Sequence, residues 1–118
     1  MVPRKNRLKN KKEFEKVFKN GEFFGGQYCT IRMLENKFSV SRFGFVTGKK
    51  LIKSVVRRNK VKRRMRETVR LFLRENKIKP GFDVITIAKE RALDVSYQEL
   101  KKDLEGIFER VKLLTSNG

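Results

Sequence analysis

The sequence predicts an α+β fold, a two-layer α/β sandwich in which helices cover one mixed β-sheet of three or four strands. Apolar residues recur with helical spacing near the middle of the chain and again near its C-terminus, which indicates two amphipathic helices. Three other stretches are rich in β-branched and aromatic residues and have the length of strands. At 118 residues the chain is long enough for one hydrophobic core, so we treat residues 1–118 as a single domain.

The N-terminal region is predicted to be a flexible basic arm followed by a short helix. Residues 1–9 are basic and lack apolar periodicity, which is typical of a disordered terminus. Asn10 and Glu13 have the spacing of a capping box, so we expect the helix to begin there. It should end at Asn20-Gly21, because this pair is favoured at helix C-termini. One face of the helix carries Phe14, Val17 and Phe18.

Two strand-like segments follow, and the sequence predicts that they pair as a β-hairpin. Residues 27–34 and 38–47 both interleave β-branched or aromatic residues with polar ones, and Glu35-Asn36-Lys37 between them is typical of a tight turn. Alternation in the second segment divides its side chains between the two faces of the sheet. One face receives Phe43, Phe45 and Thr47, and the other receives Val40, Arg42, Gly44 and Val46.

The segment from Ser54 to Arg74 (SVVRRNKVKRRMRETVRLFLR) has the pattern of an amphipathic helix with a dense positive charge, and Gly48-Lys49-Lys50 precede it. Glu67 is its only acidic residue, so like charges repel at most i,i+4 spacings. A polyanion lying along the helix would relieve this repulsion, which indicates a phosphate backbone as the partner. The apolar stripe consists of Val61, Met65, Val69 and Phe72, and the opposite face carries Asn59, Arg63, Arg66 and Arg70.

The last strand and the last helix complete the predicted order of elements. Residues 82–88 (FDVITIA) form an almost continuous apolar run, which is typical of an interior strand. Ser96 and Glu99 have capping-box spacing and should open a helix with its own apolar stripe. That stripe consists of Leu100, Leu104, Ile107, Phe108 and Val111. The predicted order is α-β-β-(β)-α-β-α, where brackets mark an optional strand.

The formal net charge of +18 restricts the partners that the chain can bind. Such an excess favours nucleic acid or an anionic membrane surface. The sequence contains no apolar run of bilayer-spanning length and no signal peptide, so we expect a nucleic-acid partner, no membrane contact and a cytoplasmic location.

No motif indicates that the protein itself carries out catalysis. A single cysteine, Cys29, and the lack of histidine exclude an internal disulfide, a zinc finger and a histidine general base. The acidic residues are dispersed, so their spacing does not predict a two-metal site. Aromatic residues in the sheet region, such as Phe23, Phe24 and Tyr28, favour RNA over DNA because unpaired bases can stack on them. Packing within the sheet explains the same residues equally well.

The stretch Arg58-Asn59-Lys60-Val61-Lys62-Arg63-Arg64-Met65-Arg66-Glu67 resembles the signature of the bacterial ribonuclease P protein family, in which R-N-R-x-K-R-x-x-R-E follows a strand ending in K-K. Lys60 departs from this pattern, since the family usually has arginine there. The resemblance extends over most of the chain. It includes Lys5-Asn6-Arg7-Leu8, Glu13-Phe14, Val17-Phe18, Gly21, Arg42-Phe43-Gly44, Lys49-Lys50, Ile87-Ala88, Ser96-Tyr97 and Glu99-Leu100.

This resemblance implies an unusual left-handed β-α-β crossover around the basic helix and an accessory role in a ribonucleoprotein enzyme. The family assists endonucleolytic removal of the 5′ leader from precursor tRNA, and an RNA subunit with bound Mg²⁺ is the catalyst. The implied partners are the catalytic RNA and precursor tRNA, without an obligatory protein partner. Contacts to the catalytic RNA fall on Arg58, Asn59, Lys60, Lys62, Arg63 and Arg66. A leader-binding cleft between the first helix and the sheet falls on Phe14 and Phe18, with Tyr28, Ile31 and Arg42 as further candidates.

Two other classes of protein fit the size, charge and α/β pattern. One is a structural RNA-binding protein such as a ribosomal component, and the other is a basic DNA-binding module. The aromatic cleft separates the first class from the ribonuclease P family, because only the latter should distinguish leader-bearing precursor tRNA from mature tRNA.

Overall fold

The computed structural model describes residues 2–48 and 53–115, and over these residues it contains seven helices and strands besides two 3₁₀ turns. The elements are α1 (Lys11–Asn20), β1 (Glu22–Gly25), β2 (Cys29–Glu35), β3 (Arg42–Thr47), α2 (Val55–Arg74), β4 (Phe82–Ala88) and α3 (Tyr97–Arg110). The 3₁₀ turns cover Arg4–Asn6 and Glu90–Asp94. Lys49-Lys50, predicted to lead into the basic helix, lie outside the described residues. None of the described helices is both long and apolar enough to span a membrane.

Each α-helix begins at the residue that the sequence predicts. At α1, Asn10 Oδ1 accepts a hydrogen bond from the Glu13 N–H at 3.0 Å, and Glu13 Oε1 accepts one from the Asn10 N–H at 3.3 Å, so the capping box is confirmed. Ser54 caps α2 by accepting from the Arg57 N–H, and Ser96 caps α3 by accepting from the Glu99 N–H. These bonds satisfy backbone donors that have no partner within a helix.

The sheet has the strand order β1-β2-β4-β3, so the predicted hairpin between β2 and β3 is wrong. β4 lies between them, antiparallel to β2 and parallel to β3. The physical reason is the composition of β4: its apolar run buries side chains on both faces, which a central strand can do. The predicted mixed sheet is confirmed, and the described residues supply four strands to it.

The antiparallel hairpin that does form joins β1 to β2. Phe23 pairs with Arg32, and Phe24 pairs with Ile31. Asp103 of α3 fixes the connecting loop, because its carboxylate accepts hydrogen bonds at 2.8 to 2.9 Å from three consecutive backbone N–H groups, those of residues 27, 28 and 29.

The basic helix α2 connects the parallel neighbours β3 and β4 and so forms the predicted β-α-β crossover. Its left-handedness stays a prediction from the family resemblance. The predicted apolar stripe is confirmed, since Val61, Met65, Val69 and Phe72 are all buried.

Two hydrophobic clusters lie on opposite faces of the sheet, as the alternation of Val84 and Ile85 in β4 shows. The larger cluster packs the sheet against α2 and α3 and forms the predicted α/β sandwich; the Phe108 ring lies 6.2 Å from that of Phe43 and 6.1 Å from that of Phe72. The smaller cluster packs α1 against the other face through Val17 and Ile85.

The N-terminal segment is packed against the domain, so the prediction of a free arm is wrong for residues 2–9. Val2 and Leu8 are buried, and burial of apolar side chains offsets the entropy of ordering the segment. The Asn6 amide donates to the Ser41 carbonyl at 2.8 Å, and the Leu8 N–H donates to the Phe43 carbonyl at 2.9 Å.

Candidate nucleic-acid interface

The N-terminal half of α2 presents the cationic face that the sequence predicts. Asn59, Lys60, Arg63 and Arg66 are exposed, whereas Arg58 and Lys62 are half-buried. The Arg58 guanidinium donates to the Lys53 carbonyl at 3.1 Å. Within the described part of the chain, the cations at positions 60, 62, 63 and 66 form no ion pair, so their charge is not neutralised by a neighbouring carboxylate.

Three other arginines of α2 differ from the cations at positions 60, 62, 63 and 66, because the guanidinium of each has a hydrogen-bond or ion-pair partner within the protein. The guanidinium of Arg64 donates to the Val95 carbonyl at 3.0 Å, and that of Arg57 lies 3.9 Å from the Asp94 carboxylate. Arg70 donates through Nε and Nη2 to the two carboxylate oxygens of Glu67, and this hydrogen bond lowers the pKa of Glu67. The helix is thus fixed along its flanks, while its outer face stays open to a ligand.

One groove, which we call the shared groove, brings together members of the two predicted binding sites. It encloses about 600 Å³ and includes Phe14 of α1 together with Arg63 and Arg66 of α2. Phe43, Gly44 and Phe45 of β3 also line it. An aromatic ring and two guanidinium groups therefore line one concave surface. A nucleic-acid strand could stack a base on the ring and place a phosphate beside the guanidinium groups.

Gly44 determines how closely Phe14 can approach the sheet. A Cβ atom at position 44 would lie 2.5 Å from Cε1 of Phe14 and 3.2 Å from Cδ1 of Leu8. Any side chain there would displace the aromatic ring from β3. The shape of the shared groove consequently depends on glycine at this position.

The second predicted cleft aromatic, Phe18, lies on the α1 side of the sheet with Phe23 and Arg32. Phe18 and Phe23 are 39% and 57% exposed, so both rings are accessible to a ligand. The Arg32 guanidinium donates to the Phe18 carbonyl at 3.3 Å and lies 5.4 Å from the centre of the Phe23 ring. These three residues form a cationic and aromatic surface at the β1 end of the sheet.

The structure places Tyr28 and Ile31 away from that surface, so the prediction that they line the same cleft is wrong. Ile31 is fully buried in the cluster beneath α2 and α3. Tyr28 packs against that same cluster, with the Arg91 guanidinium 5.9 Å from its ring. For Ile31 the reason is strand alternation, because it is adjacent to Arg32 in β2 and therefore points to the opposite face. Tyr28 lies in the loop before β2, where this alternation does not apply.

Arg42 lies on the α1 side of the sheet, as predicted, but its donors are engaged within the protein. Nε and Nη2 donate to the two oxygens of Asp83 at 2.9 and 2.7 Å, and Nη1 donates to Glu13 Oε2 at 2.6 Å. Its side chain is only 18% exposed. A phosphate would have to displace a carboxylate to bind Arg42, so the predicted leader contact at this residue is not supported by its geometry.

The same contacts shift the pKa values of the groups involved. The hydrogen bond from the Lys9 N–H, followed by that from Asn10 and the positive charge of Arg42, lowers the pKa of Glu13. Hydrogen bonds from Arg42 to Asp83, together with the two negative charges nearby, raise the pKa of Arg42. The contacts thus favour the charged forms of Glu13 and Arg42, and they connect α1 to β3 and β4.

The resemblance implies that Mg²⁺ is bound mainly by the RNA subunit. The residues that the structure describes contain no group of three or more carboxylate, histidine or cysteine side chains that could hold a metal ion. Glu13 and Asp83 converge, but the guanidinium of Arg42 fills the position between them. Cys29 is buried, and burial raises the pKa of its thiol, which removes it as a nucleophile or thiolate ligand.

Sequence reasoning missed Arg32 as a candidate site residue because it did not identify β1. The signal was present in Glu22-Phe23-Phe24, which precedes Gly25-Gly26, since a glycine pair between two strand-like segments is typical of a hairpin turn. The pairing of Phe23 with Arg32 follows from that hairpin.

The fold and this surface define a class of small, strongly basic α+β proteins with a cationic crossover helix beside an aromatic groove. The family model described as Ribonuclease P matches residues 2–112. The ribonuclease P protein component of Fusobacterium nucleatum is 37% identical over 113 residues, covering 92% of this chain and 99% of the relative. That of Clostridioides difficile is 36% identical over 106 residues, covering 90% and 91%. The chain therefore belongs to the ribonuclease P protein family.

Solved structures agree with this assignment. The RNase P protein of Staphylococcus aureus has a TM-score of 0.82 and 27% identity to this chain, covering 93% of it and 98% of the solved chain. The RNase P protein of Thermotoga maritima has a TM-score of 0.78 and 28% identity, covering 88% and 96%. The α+β fold with its mixed sheet is thus the fold of these RNase P proteins.

Proposed function

We propose that this chain binds the catalytic RNA of ribonuclease P and the 5′ leader of precursor tRNA, and that it thereby assists endonucleolytic maturation of the tRNA 5′ end. The shared groove is the observation that carries the proposal. It joins the aromatic residue Phe14 to Arg63 and Arg66 of the family motif, so one surface can contact both a single-stranded leader and a structured RNA.

The catalytic RNA is proposed to bind the open face of α2. Lys60, Lys62, Arg63 and Arg66 offer positive charge that no carboxylate of the described residues neutralises, and Arg58 and Asn59 extend the face towards the start of the helix. Each phosphate that binds there releases counterions, which favours association at low salt. The like-charge repulsion along α2 also falls when phosphates bind.

The leader is proposed to bind on the α1 side of the sheet, where Phe14 and Phe18 can stack on unpaired bases. Arg32 and Phe23 border the same surface. Mature tRNA has no leader, so this surface gives the complex a means of distinguishing precursor from product.

Catalysis is assigned to the RNA subunit with its bound Mg²⁺, and the role of the protein is to bind and position RNA. The dispersed acids and the engaged Glu13–Arg42–Asp83 cluster support this division of labour. The positive charge of the protein should neutralise phosphates of the catalytic RNA and so lower the Mg²⁺ concentration that the reaction needs. Since its substrates are RNAs of the cell interior, we place the protein in the cytoplasm.

The test is cleavage of precursor tRNA by a bacterial ribonuclease P RNA at low Mg²⁺, with and without the protein. The proposal expects faster cleavage with the correct 5′ end. The Arg63→Ala/Arg66→Ala double variant should lose most of the stimulation, whereas Lys102→Ala, which removes an exposed lysine of α3, should keep it. Tight RNA binding without stimulation would instead indicate a structural RNA-binding protein.

A further inference from the structure

Phe38 is an exposed aromatic residue that the proposed function does not use. It lies in the loop between β2 and β3 and is 55% exposed. The Arg42 guanidinium lies 4.6 Å from the centre of its ring. One face of the ring is therefore covered by a cation, and the exposed fraction of the side chain leaves the other face accessible to a ligand.

Hydrogen bonds fix the loop that carries this ring. Asn36 Oδ1 accepts from the Phe38 N–H at 2.8 Å, and the Asn36 amide donates to Asp83 at 2.8 Å and to the Val40 carbonyl at 3.3 Å. Asp83 and Glu13 in turn fix Arg42 beneath the ring. A planar ligand that stacks on Phe38 would meet a preorganised surface and would pay little entropy for ordering the loop.

The groove beside Phe38 carries an excess of positive charge. It encloses about 490 Å³, and Lys12, Lys16 and Lys37 line it. Of its three carboxylates, those of Glu13 and Asp83 are bonded to Arg42, which leaves Glu35 opposite three lysines. The ligand that fits a flat apolar ring surrounded by cations is planar and carries negative charge.

We propose that Phe38 is the stacking platform of a second RNA-binding site, which holds one unpaired nucleotide with its base on the ring and its phosphates beside Lys12, Lys16 and Lys37. The two α1 lysines lie on the side of that helix opposite Phe14, so this site is separate from the shared groove. The inference rests on the RNA-binding part of the proposed function but not on the leader-binding cleft.

The test measures binding of a short, unstructured, fluorescently labelled RNA to the full-length protein over a range of salt concentrations. Phe38→Ala should weaken binding by about 5- to 150-fold, because one base–aromatic stack is lost. The slope of log affinity against log salt should stay unchanged, since no phosphate contact is removed. Lys16→Ala should reduce that slope by about 0.7, the contribution of one phosphate on a single strand. Lys102→Ala is the matched control on α3 and should leave both quantities unchanged.

Two further variants separate stacking from a structural role of Phe38. Phe38→Trp should bind as wild type does, and Phe38→Leu, which keeps apolar cover over Arg42, should be as weak as Phe38→Ala. Full affinity in Phe38→Leu or in Phe38→Ala would overturn the proposal. Because Trp and Leu both retain a large side chain, their comparison stays decisive even if Phe38→Ala unfolds.

Binding of longer RNAs to the same variants shows which RNA supplies the unpaired nucleotide. A loss confined to leader-bearing precursor tRNA assigns the nucleotide to the leader, and a loss for the catalytic RNA assigns it there. An equal loss for a fully paired duplex would overturn the site, since a duplex offers no unpaired base. Cross-linking of 5-bromouridine RNA should label the segment of residues 36–42 whether or not Phe14 and Phe18 are intact, so failure of the cleft and failure of this site are distinguishable.

Discussion

Arg42 and Asp83 are bonded to each other across two parallel neighbouring strands, with both carboxylate oxygens of Asp83 within 2.9 Å of the Arg42 guanidinium. Their side chains are only 18% and 6% exposed. Glu13 of α1 binds the same guanidinium, so one ion cluster connects the first helix to the sheet. The apolar cluster through which α1 packs on this face of the sheet is small. The ion cluster of Glu13, Arg42 and Asp83 should therefore make a measurable contribution to the free energy of unfolding.

Asp83→Ala should lower the free energy of unfolding by about 2 to 4 kcal/mol, because it leaves a largely buried cation with half of its partners. Denaturation in urea measures this loss. Glu15→Ala is the matched control: it also removes one carboxylate, but from an exposed pair with Lys11 at 3.9 Å, and should cost no more than about 0.5 kcal/mol. Equal losses in the two variants would contradict a specific role for Asp83.

The free energy of unfolding should fall in acid, in part because Glu13 becomes protonated. Hydrogen bonds and Arg42 hold its folded-state pKa below the ordinary value of 4.5, so the unfolded state binds the proton more readily. The stabilisation is present above the ordinary pKa and is lost as the pH falls through the lower, folded-state pKa. Urea titrations at a series of pH values from 6 downwards should show a shallower acid loss for Glu13→Gln than for wild type. Superimposable pH profiles would exclude this contribution.

Gly44→Ala should deform the shared groove, since the new Cβ would lie 2.5 Å from Phe14. Overpacking of this kind costs about 1 to 3 kcal/mol of stability, and displacement of Phe14 should also weaken binding of precursor tRNA. Gly106→Ala is the control within the same chain. A Cβ there meets no atom within 4 Å, so the variant should keep RNA binding and gain up to about 1 kcal/mol through helix propensity.

Phe18→Ala should weaken binding of leader-bearing precursor tRNA by about 5- to 150-fold through the loss of one base–aromatic stack. The fold should tolerate the change because the ring is 39% exposed. Filter-binding measurements with precursor and mature tRNA test the prediction, and mature tRNA should bind as before. A parallel loss for both RNAs would remove the assignment of Phe18 to the leader.

Arg63→Ala should reduce the affinity for the catalytic RNA and lower the steepness of its salt dependence by about 0.7 to 0.9 in the log–log slope, the contribution of one phosphate contact. The measurement is a binding series from low to moderate salt. Lys102→Ala should leave the slope unchanged. A weaker Arg63→Ala complex with an unchanged slope would indicate that the guanidinium contacts a group other than a phosphate.

The helices could be predicted from the sequence because their signals are local. Each signal lies within a few turns of a single helix: the capping pair Asn10 and Glu13 in α1, the stripe from Val61 to Phe72 in α2, and the pair Ser96 and Glu99 in α3. The pairing of strands could not be predicted in the same way. The apolar run of β4 indicated a buried strand, but nothing near residues 27–47 showed that β4 would lie between β2 and β3.

The site was only partly predictable for a related reason. Exposure of Arg63 and Arg66 follows from the helical period, whereas the burial of Ile31 depends on which face of β2 meets α3. The role of Arg42 depended on Asp83, a residue forty-one positions away that becomes its neighbour only in the sheet. The N-terminal arm was predicted to be free because its few apolar residues show no period, yet Val2 and Leu8 both reach buried positions.

The central position of β4 also determines when this domain can fold during its synthesis. A ribosome that has released β2 and β3 has not yet made the strand that lies between them, so the nascent chain can form the β1–β2 hairpin but must leave β3 without its partner. The sheet therefore cannot be completed before the C-terminal third of the polypeptide has been made, and a strand without its neighbour is open to aggregation during that delay. The dense positive charge of α2, the next element after β3, should keep such unfinished chains apart by mutual repulsion.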